Sequence, residues 1–473
     1  METCNNINIR TGTPSMGVFQ SRPLATLAAS KVSDLLQSNH DNHHIYIHNF
    51  GLHNHILHHL LALYPLGANP QQLDDAYNFA IASQRPTRPP NTRFVSDLAN
   101  PIKFRECLGD EKHYEDFFMF FQKEIATKGL HDTIYQYLFN GDEMAEDMLR
   151  RFFSGFLHSP IHLGYAIEFS QPLVVAEALA LTAIHDSEFG EALAMAEVIA
   201  KQSPESKGLV ELQQMIYTNS KLRSAMRYEH GSFQIRDGLL ANAKDEFLHT
   251  LGLWKVKPDD LNEKTAESLN STIYWTTLAQ RPRKQIRFDF FLMHSITAGS
   301  LWPALNSASW ISSETKCRLL EWKGRSDLML YCQSGAPQLH PQELISYRPN
   351  FPSGWPEIFQ RACVYRDDGH LAKFIRAIAT ANDNIRPFAR NRRFKIKSEQ
   401  EFLTIAHMVI DSAEDFNQNS ANSEVTMICA KYGYPRLMSH EIQRVTARWP
   451  RHVGFAESWF HVPARKPHLP AQL

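Results

Sequence analysis

Histidine is the residue this sequence uses unusually. There are 23 in 473 residues, and eight of them (His40, His43, His44, His48, His53, His55, His58 and His59) fall within twenty positions. A neutral imidazole is a metal ligand or a proton carrier, so what matters is which histidines share a helix face in apolar surroundings. In the run His53-Asn54-His55-Ile56-Leu57-His58-His59-Leu60-Leu61, His59 stands four residues after His55 and His58 three after it, spacings that place imidazoles on one face of a helix. Leu57, Leu60 and Leu61 argue for burial of His58 and His59. His40, His43, His44 and His48 read as solvated. His158 and His162 repeat the i, i+4 spacing inside Phe156–Tyr165, where Pro160 suits a first helical turn with His158 just outside it. Two buried histidines there need partners: a metal is one solution, and Glu168, Glu177 or backbone carbonyls are others.

His294, in FFLMHSI, has the ordinary setting of a core histidine. In DDGHLAKFIRA, His370 and Lys373 are three apart on one side of a helix. The bland reading is an N-terminal cap by Asp368 and a lysine that snorkels to water. The chemical reading is a buried, readily deprotonated amine that takes up CO2 to become a carbamate, an anionic oxygen ligand that neutral histidines lack. Taken together, His58, His158, His162, His294, His370 and Lys373, with no cysteine, form a nitrogen and oxygen donor set suited to Fe(II) with open positions for O2. Zinc hydrolysis is chemically possible with the same donors.

The elements that must position these residues are helical. Ile56 to Leu63 keep helical spacing up to Pro65. Gln71–Ala82 follows an Asn69 cap and Pro70, Tyr114–Ile125 carries a wide apolar arc, and Leu173–Ile184 is Ala/Leu-rich like a buried helix. Asp367–Thr380 completes the set. Strand signals are confined to Tyr46-Ile47 and Arg287–Phe291. The expected fold is mostly α: residues 1–23 a flexible lead-in and residues 24–473 a single large multi-helix domain with the metal site in its helical core.

Composition excludes several function classes. A net charge of −1 rules out a broad electrostatic footprint for nucleic acid or an anionic membrane. Only 21 glycines occur, and no G-x-G-x-x-G, P-loop or G-x-S-x-G run is present, which argues against a flavin or nicotinamide carrier in a Rossmann domain. Six scattered cysteines give no disulfide framework and no Cys-based metal site. With no apolar leader and no spanning segment, the expected location is intracellular and cytoplasmic.

Five blocks, HNHILHHLLALYPLGANPQQL (53–73), HYEDFFMFFQKEI (113–125), HSPIHLGYAIEFSQPLVVAEALALTAIH (158–185), FDFFLMHSITAG (288–299) and DDGHLAKFIRA (367–377), together resemble the questin oxidase-like family of fungal polyketide pathways. The resemblance implies oxidative opening of the central ring of an anthraquinone to a benzophenone-type product. In the members this chain resembles most, that is the work of a non-heme Fe(II) dioxygenase cleaving the C4a–C10 bond with O2 as co-substrate. It further implies several histidine ligands and a carboxylated, catalytic lysine, which Lys373 matches. Five histidines plus the lysine would fill an octahedron and leave no place for O2, so at least one of His58, His158, His162, His294 and His370 stands behind the others. The choice among His55, His58 and His59 stays open. Other members imply an NADPH-dependent Baeyer–Villiger monooxygenase, drawing NADPH through a site without a fingerprint or from a partner reductase. A third reading is a non-catalytic helical pathway-partner protein. Tyr46, Tyr165 and Phe169 could line a flat substrate pocket, although core packing accounts for each equally well.

Overall fold

The computed structural model describes residues 6–12, 15–21, 23–47, 52–419 and 447–465. The expected mostly helical class holds, at 68% helix and 2% strand. Local chemistry accounts for the elements legible in the sequence. Asn69 caps the Pro70–Ile81 helix reciprocally with Gln72, and Pro70 occupies the first turn. Pro172–Ile184 is buried along nearly its whole length, as an Ala/Leu helix without a polar face must be, and packs against the Tyr114–Lys128 and Ser154–Glu168 helices.

Four helices carry the singled-out histidines and lysine. Ile56–Leu66 packs on His370–Ile385, while Phe290–Gly299 contacts both His370–Ile385 and Ser154–Glu168. The long Ser313–Gln333 helix backs Phe290–Gly299. Tyr46–Ile47 pairs antiparallel with Leu52–His53, Tyr46 opposite His53. The second, ambiguous strand signal is not realised: Arg287–Phe291 runs into a helix because the Asp289 carboxylate accepts from Phe291 N–H at 2.8 Å and Leu292 N–H at 3.1 Å, starting a helical turn.

The lead-in is also docked where it is described. Ile7, Ile9 and Val18 are buried, Phe19 N–H donates to Thr380 Oγ1 at 3.0 Å, and Ser21 N–H donates to the Pro65 carbonyl at 2.7 Å. Periodicity misses such a segment because its backbone bonds go to side chains and helix ends far away in sequence. No helix among the described residues is long and apolar enough to cross a membrane.

Candidate metal centre

Four rings on these helices form a closed circuit: His55 to His158 at 5.1 Å between centroids, His158 to His294 at 5.0 Å, His294 to His370 at 5.2 Å, and His370 back to His55 at 4.6 Å. Each ring is anchored from behind through Nδ1. His294 Nδ1 donates to the Phe290 carbonyl at 2.6 Å and His158 Nδ1 to the Gly155 carbonyl at 2.6 Å. His370 and His55 donate to the two oxygens of Asp368, at 2.6 and 3.1 Å. Carbonyls and carboxylates only accept, so every Nδ1 carries a proton, and a ring that is neutral has its lone pair at Nε2.

His55 Nε2 and His158 Nε2 lie 2.9 Å apart, and the Nε2 atoms of His294 and His370 are buried with no hydrogen-bond partner among the described residues. Protonation does not relieve the contact. Burial first, then the Lys373 charge, pushes His55 down to about 3; burial and the neighbouring His53 hold His158 well below the ordinary histidine value. A cation between the Nε2 atoms of His55 and His158 would resolve that repulsion, and metal-binding histidines are commonly held at their other ring nitrogen by an oxygen acceptor.

Lys373 completes the group. Its ammonium nitrogen is buried with no hydrogen-bond partner among the described residues, and burial lowers it to about 8 against the opposing pull of Asp368 and Asp367. The snorkelling alternative is therefore not realised. Nor does Asp368 cap the helix. Asp367 does, accepting from Gly369 N–H at 2.7 Å and Leu371 N–H at 2.8 Å, which leaves both oxygens of Asp368 for His55 and His370. His55, Asp368 and His370 offer donor atoms within 4.8 Å of one another, but with its oxygens engaged Asp368 acts as the orienting carboxylate. Gly369 is required at the bend, because its φ is +93° and a Cβ there would lie 2.5 Å from Cβ of His59.

His158 owes its direction to a left-handed turn at Gly155, Phe156 and Leu157, with φ of 54°, 53° and 67°. Two non-glycine residues there cost about 1–3 kcal/mol each. At Gly155 a Cβ would meet the His185 ring at 2.4 Å. The helix proper begins at His158, so Pro160 does sit in a first turn.

His58 and His162 belong to a different line of contacts. His58 Nε2 meets His162 Nδ1 at 3.1 Å, His162 Nε2 meets Glu177 at 2.9 Å, and the other Glu177 oxygen meets His40 Nδ1 at 2.7 Å. Burial alone would raise the Glu177 carboxyl, but the hydrogen bonds from His162 and His40 bring it down to about 2. His40 and His44 are thus not solvated. His44 is buried against Arg85 at 2.7 Å, and burial followed by the Arg85 charge lowers it to about 3. His43 is half-buried; His48 lies outside the described residues. His53, which the spacing argument passed over, stacks on His158 at 3.7 Å between centroids and bonds His185 Nε2 at 2.9 Å. Tyr46, Tyr165 and Phe169 are core residues, the last two lying under the Arg376 guanidinium at 5.8 and 5.9 Å.

Comparison with known proteins places this geometry. The family model described as questin oxidase-like matches residues 52–378, a span holding all four rings of the circuit and Lys373. The chain is 38% identical to an oxidoreductase, AflY, of Aspergillus parasiticus over 92% of this chain and 89% of the relative. It is 36% identical to a Baeyer–Villiger oxidase, ptaJ, of Pestalotiopsis fici over 84% and 90%. It is 35% identical to a questin oxidase of Aspergillus fumigatus over 87% and 94%.

Proposed function

The chain belongs to the questin oxidase-like family, and from that premise we propose that it is an oxidoreductase of fungal secondary metabolism. In this reading it is an Fe(II)-dependent dioxygenase that opens the central ring of an anthraquinone at the C4a–C10 bond, giving a benzophenone-type product. The observation that carries the metal reading is the circuit of four imidazoles anchored at Nδ1, with bare Nε2 edges and an unpartnered lysine beside them. His55, His158, His294 and His370 would hold the ion, with Lys373 as its carbamate. His55 takes the place expected of His58, and His162 stands apart, held by Glu177. The ion, when bound, supplies the O2 binding and electron transfer that imidazole and amine side chains lack.

The residues themselves supply orientation and charge. Asp368 fixes two rings at once, and the carbonyls of Gly155 and Phe290 fix the other two, so the donor atoms need little reorganisation. The carbamate would bring one negative charge into a site of otherwise neutral donors. Burial keeps water from the reactive centre.

The names of several relatives support a second reading, a Baeyer–Villiger monooxygenase, which would draw its electrons from NADPH. One experiment separates the two. Anaerobically purified protein is assayed for metal, then for O2 uptake with questin and its reduced form, with and without NADPH, under 18O2. The dioxygenase reading expects stoichiometric iron, turnover of the reduced form without NADPH and both oxygen atoms in the product. A strict NADPH requirement in the pure protein with one atom incorporated establishes the monooxygenase instead. Absence of any stoichiometric transition metal, with no uptake, leaves the non-catalytic partner protein.

A further inference from the structure

Pro65 lies inside the Ile56–Leu66 helix. Proline has no N–H, so the carbonyl four residues back, that of Leu61, loses the helix bond it would otherwise accept. Arg376 supplies the missing donor: its Nη1 donates to the Leu61 carbonyl at 3.3 Å. The rest of the guanidinium is equally engaged. Nη1 and Nη2 both donate to the Glu168 carboxylate, the first at 3.0 Å, and Nε donates to the Phe19 carbonyl at 3.0 Å. The Tyr165 hydroxyl hydrogen-bonds the same group. Arg376 and Glu168 are both buried. A buried ion pair of this kind adds little stability over apolar residues of the same size, because desolvation offsets the attraction. What the pair joins explains its presence better.

Leu61, Glu168 and Arg376 stand on three different helices. The first begins directly after His55, the second carries His158, and the third carries His370 and Lys373. Leu61 follows His55 by six residues and Arg376 follows His370 by six, so their bond holds the two helices at equal offsets from their rings. With a rise of about 1.5 Å per residue, a slip of one residue between those helices would displace the His55 ring from the His370 ring by about that distance. The lead-in closes the same joint, with Phe19 on the guanidinium and Ser21 N–H donating to the Pro65 carbonyl at 2.7 Å. We propose that Arg376 is a positioning residue of the metal centre: with Glu168, it locks the three helices in the register that brings the donor rings to one ion. This rests on the metal reading above. Lysine cannot take its place, because an ammonium is a single point charge, whereas the guanidinium presents five donors in a fixed plane.

The test reads Co(II) binding to the full-length chain stripped of metal, by titration midpoint and visible absorption spectrum, beside urea unfolding of the same proteins. Arg376→Met combined with Glu168→Leu removes both buried charges at similar volume, so the urea midpoint should stay near that of wild type. Co(II) affinity should nonetheless fall by about 10-fold or more, the scale for losing a group that orients metal ligands, and the absorption bands should shift. Arg376→Lys keeps a charge opposite Glu168 and should show the same fall. The apolar replacement of another buried pair, Lys323→Met with Asp327→Leu, should bind Co(II) as wild type does. Wild-type affinity and spectrum in the folded Arg376→Met, Glu168→Leu protein overturn the proposal. So does full affinity in Arg376→Lys, or an equal fall in the Lys323 and Asp327 control. If the first double variant does not fold, Arg376→Lys decides by the same two readings. Wild-type protein that binds no Co(II) defeats the metal reading itself, and the register lock falls with it.

Discussion

Two lysines are buried almost equally in this protein and lead opposite lives. Lys323, on the Ser313–Gln333 helix, is 0% exposed and Lys373 is 2% exposed. Lys323 forms an ion pair with Asp327 one turn along, Asp327 also accepts from the Ser268 hydroxyl at 3.1 Å, and the ammonium sits 5.7 Å from the Trp302 ring centroid. Burial still lowers Lys323 and raises Asp327 to about 6, but every charge has an answer. Lys373 makes no hydrogen bond among the described residues and has only the through-space pull of Asp368 and Asp367, although one turn further along the same helix Arg376 is paired with Glu168. Burial alone therefore does not mark function. A buried charge with a partner belongs to the scaffold; one without a partner implies a reaction or a ligand.

The contrast breaks most decisively at Lys373. Lys373→Ala should lose stoichiometric iron and, with it, more turnover than the roughly 10- to 100-fold expected for loss of an outer partner. Added formate or acetate should restore part of both. Metal analysis decides, since full iron in this variant would remove the lysine from the site. Next comes Asp368→Asn, because an amide has one acceptor oxygen and must release the anchor of either His55 or His370. Co(II) affinity should fall by about 10- to 100-fold, and an unchanged titration would mean that the rings do not depend on that carboxylate.

Lys323→Met should leave metal stoichiometry intact yet destabilise the protein by about 3–5 kcal/mol, because Asp327 stays buried and unpaired. Combining it with Asp327→Leu should recover most of that loss in urea unfolding. Loss of metal in the folded double variant would dissolve the distinction between the two lysines.

The smallest effect is on acid stability. His44 and His185 are lowered in the folded protein, to about 3 and about 4 against an ordinary 6.5, in both cases chiefly by burial. The unfolded chain therefore binds protons first as pH drops. The urea midpoint of metal-free protein should hold above pH 6.5 and decline steadily from there to pH 4. A midpoint that rises on acidification would contradict the burial of these rings.

What could be read from the chain follows the range of the interactions concerned. The Pro70–Ile81 cap and the apolar Pro172–Ile184 helix depend on residues within a turn or two, and both are legible. The solvated reading of His40 and His44 failed because their partners, Glu177 and Arg85, lie 137 and 41 residues away. Asp368 is read from the sequence as the cap, a role Asp367 takes, because both satisfy the same local pattern. What separates them is His55, 313 residues distant, which claims one oxygen of Asp368.

The candidate centre divides along the same line. Sequence by itself determined the helical class and which side-chain types stand on these helices. The Nδ1 anchors are near in sequence, yet only the fold shows them: the Phe290 carbonyl reaches His294 from four residues back on its helix, Asp368 reaches His370 from two residues back, and the Gly155 carbonyl reaches His158 through the left-handed turn. Only the tertiary structure decided that those rings meet, that His55 and not His58 joins them, and that Lys373 is buried with no hydrogen-bond partner among the described residues. Local geometry orients a side chain on its own helix, but which orientations coincide depends on how the helices pack, and that is set by the whole apolar core.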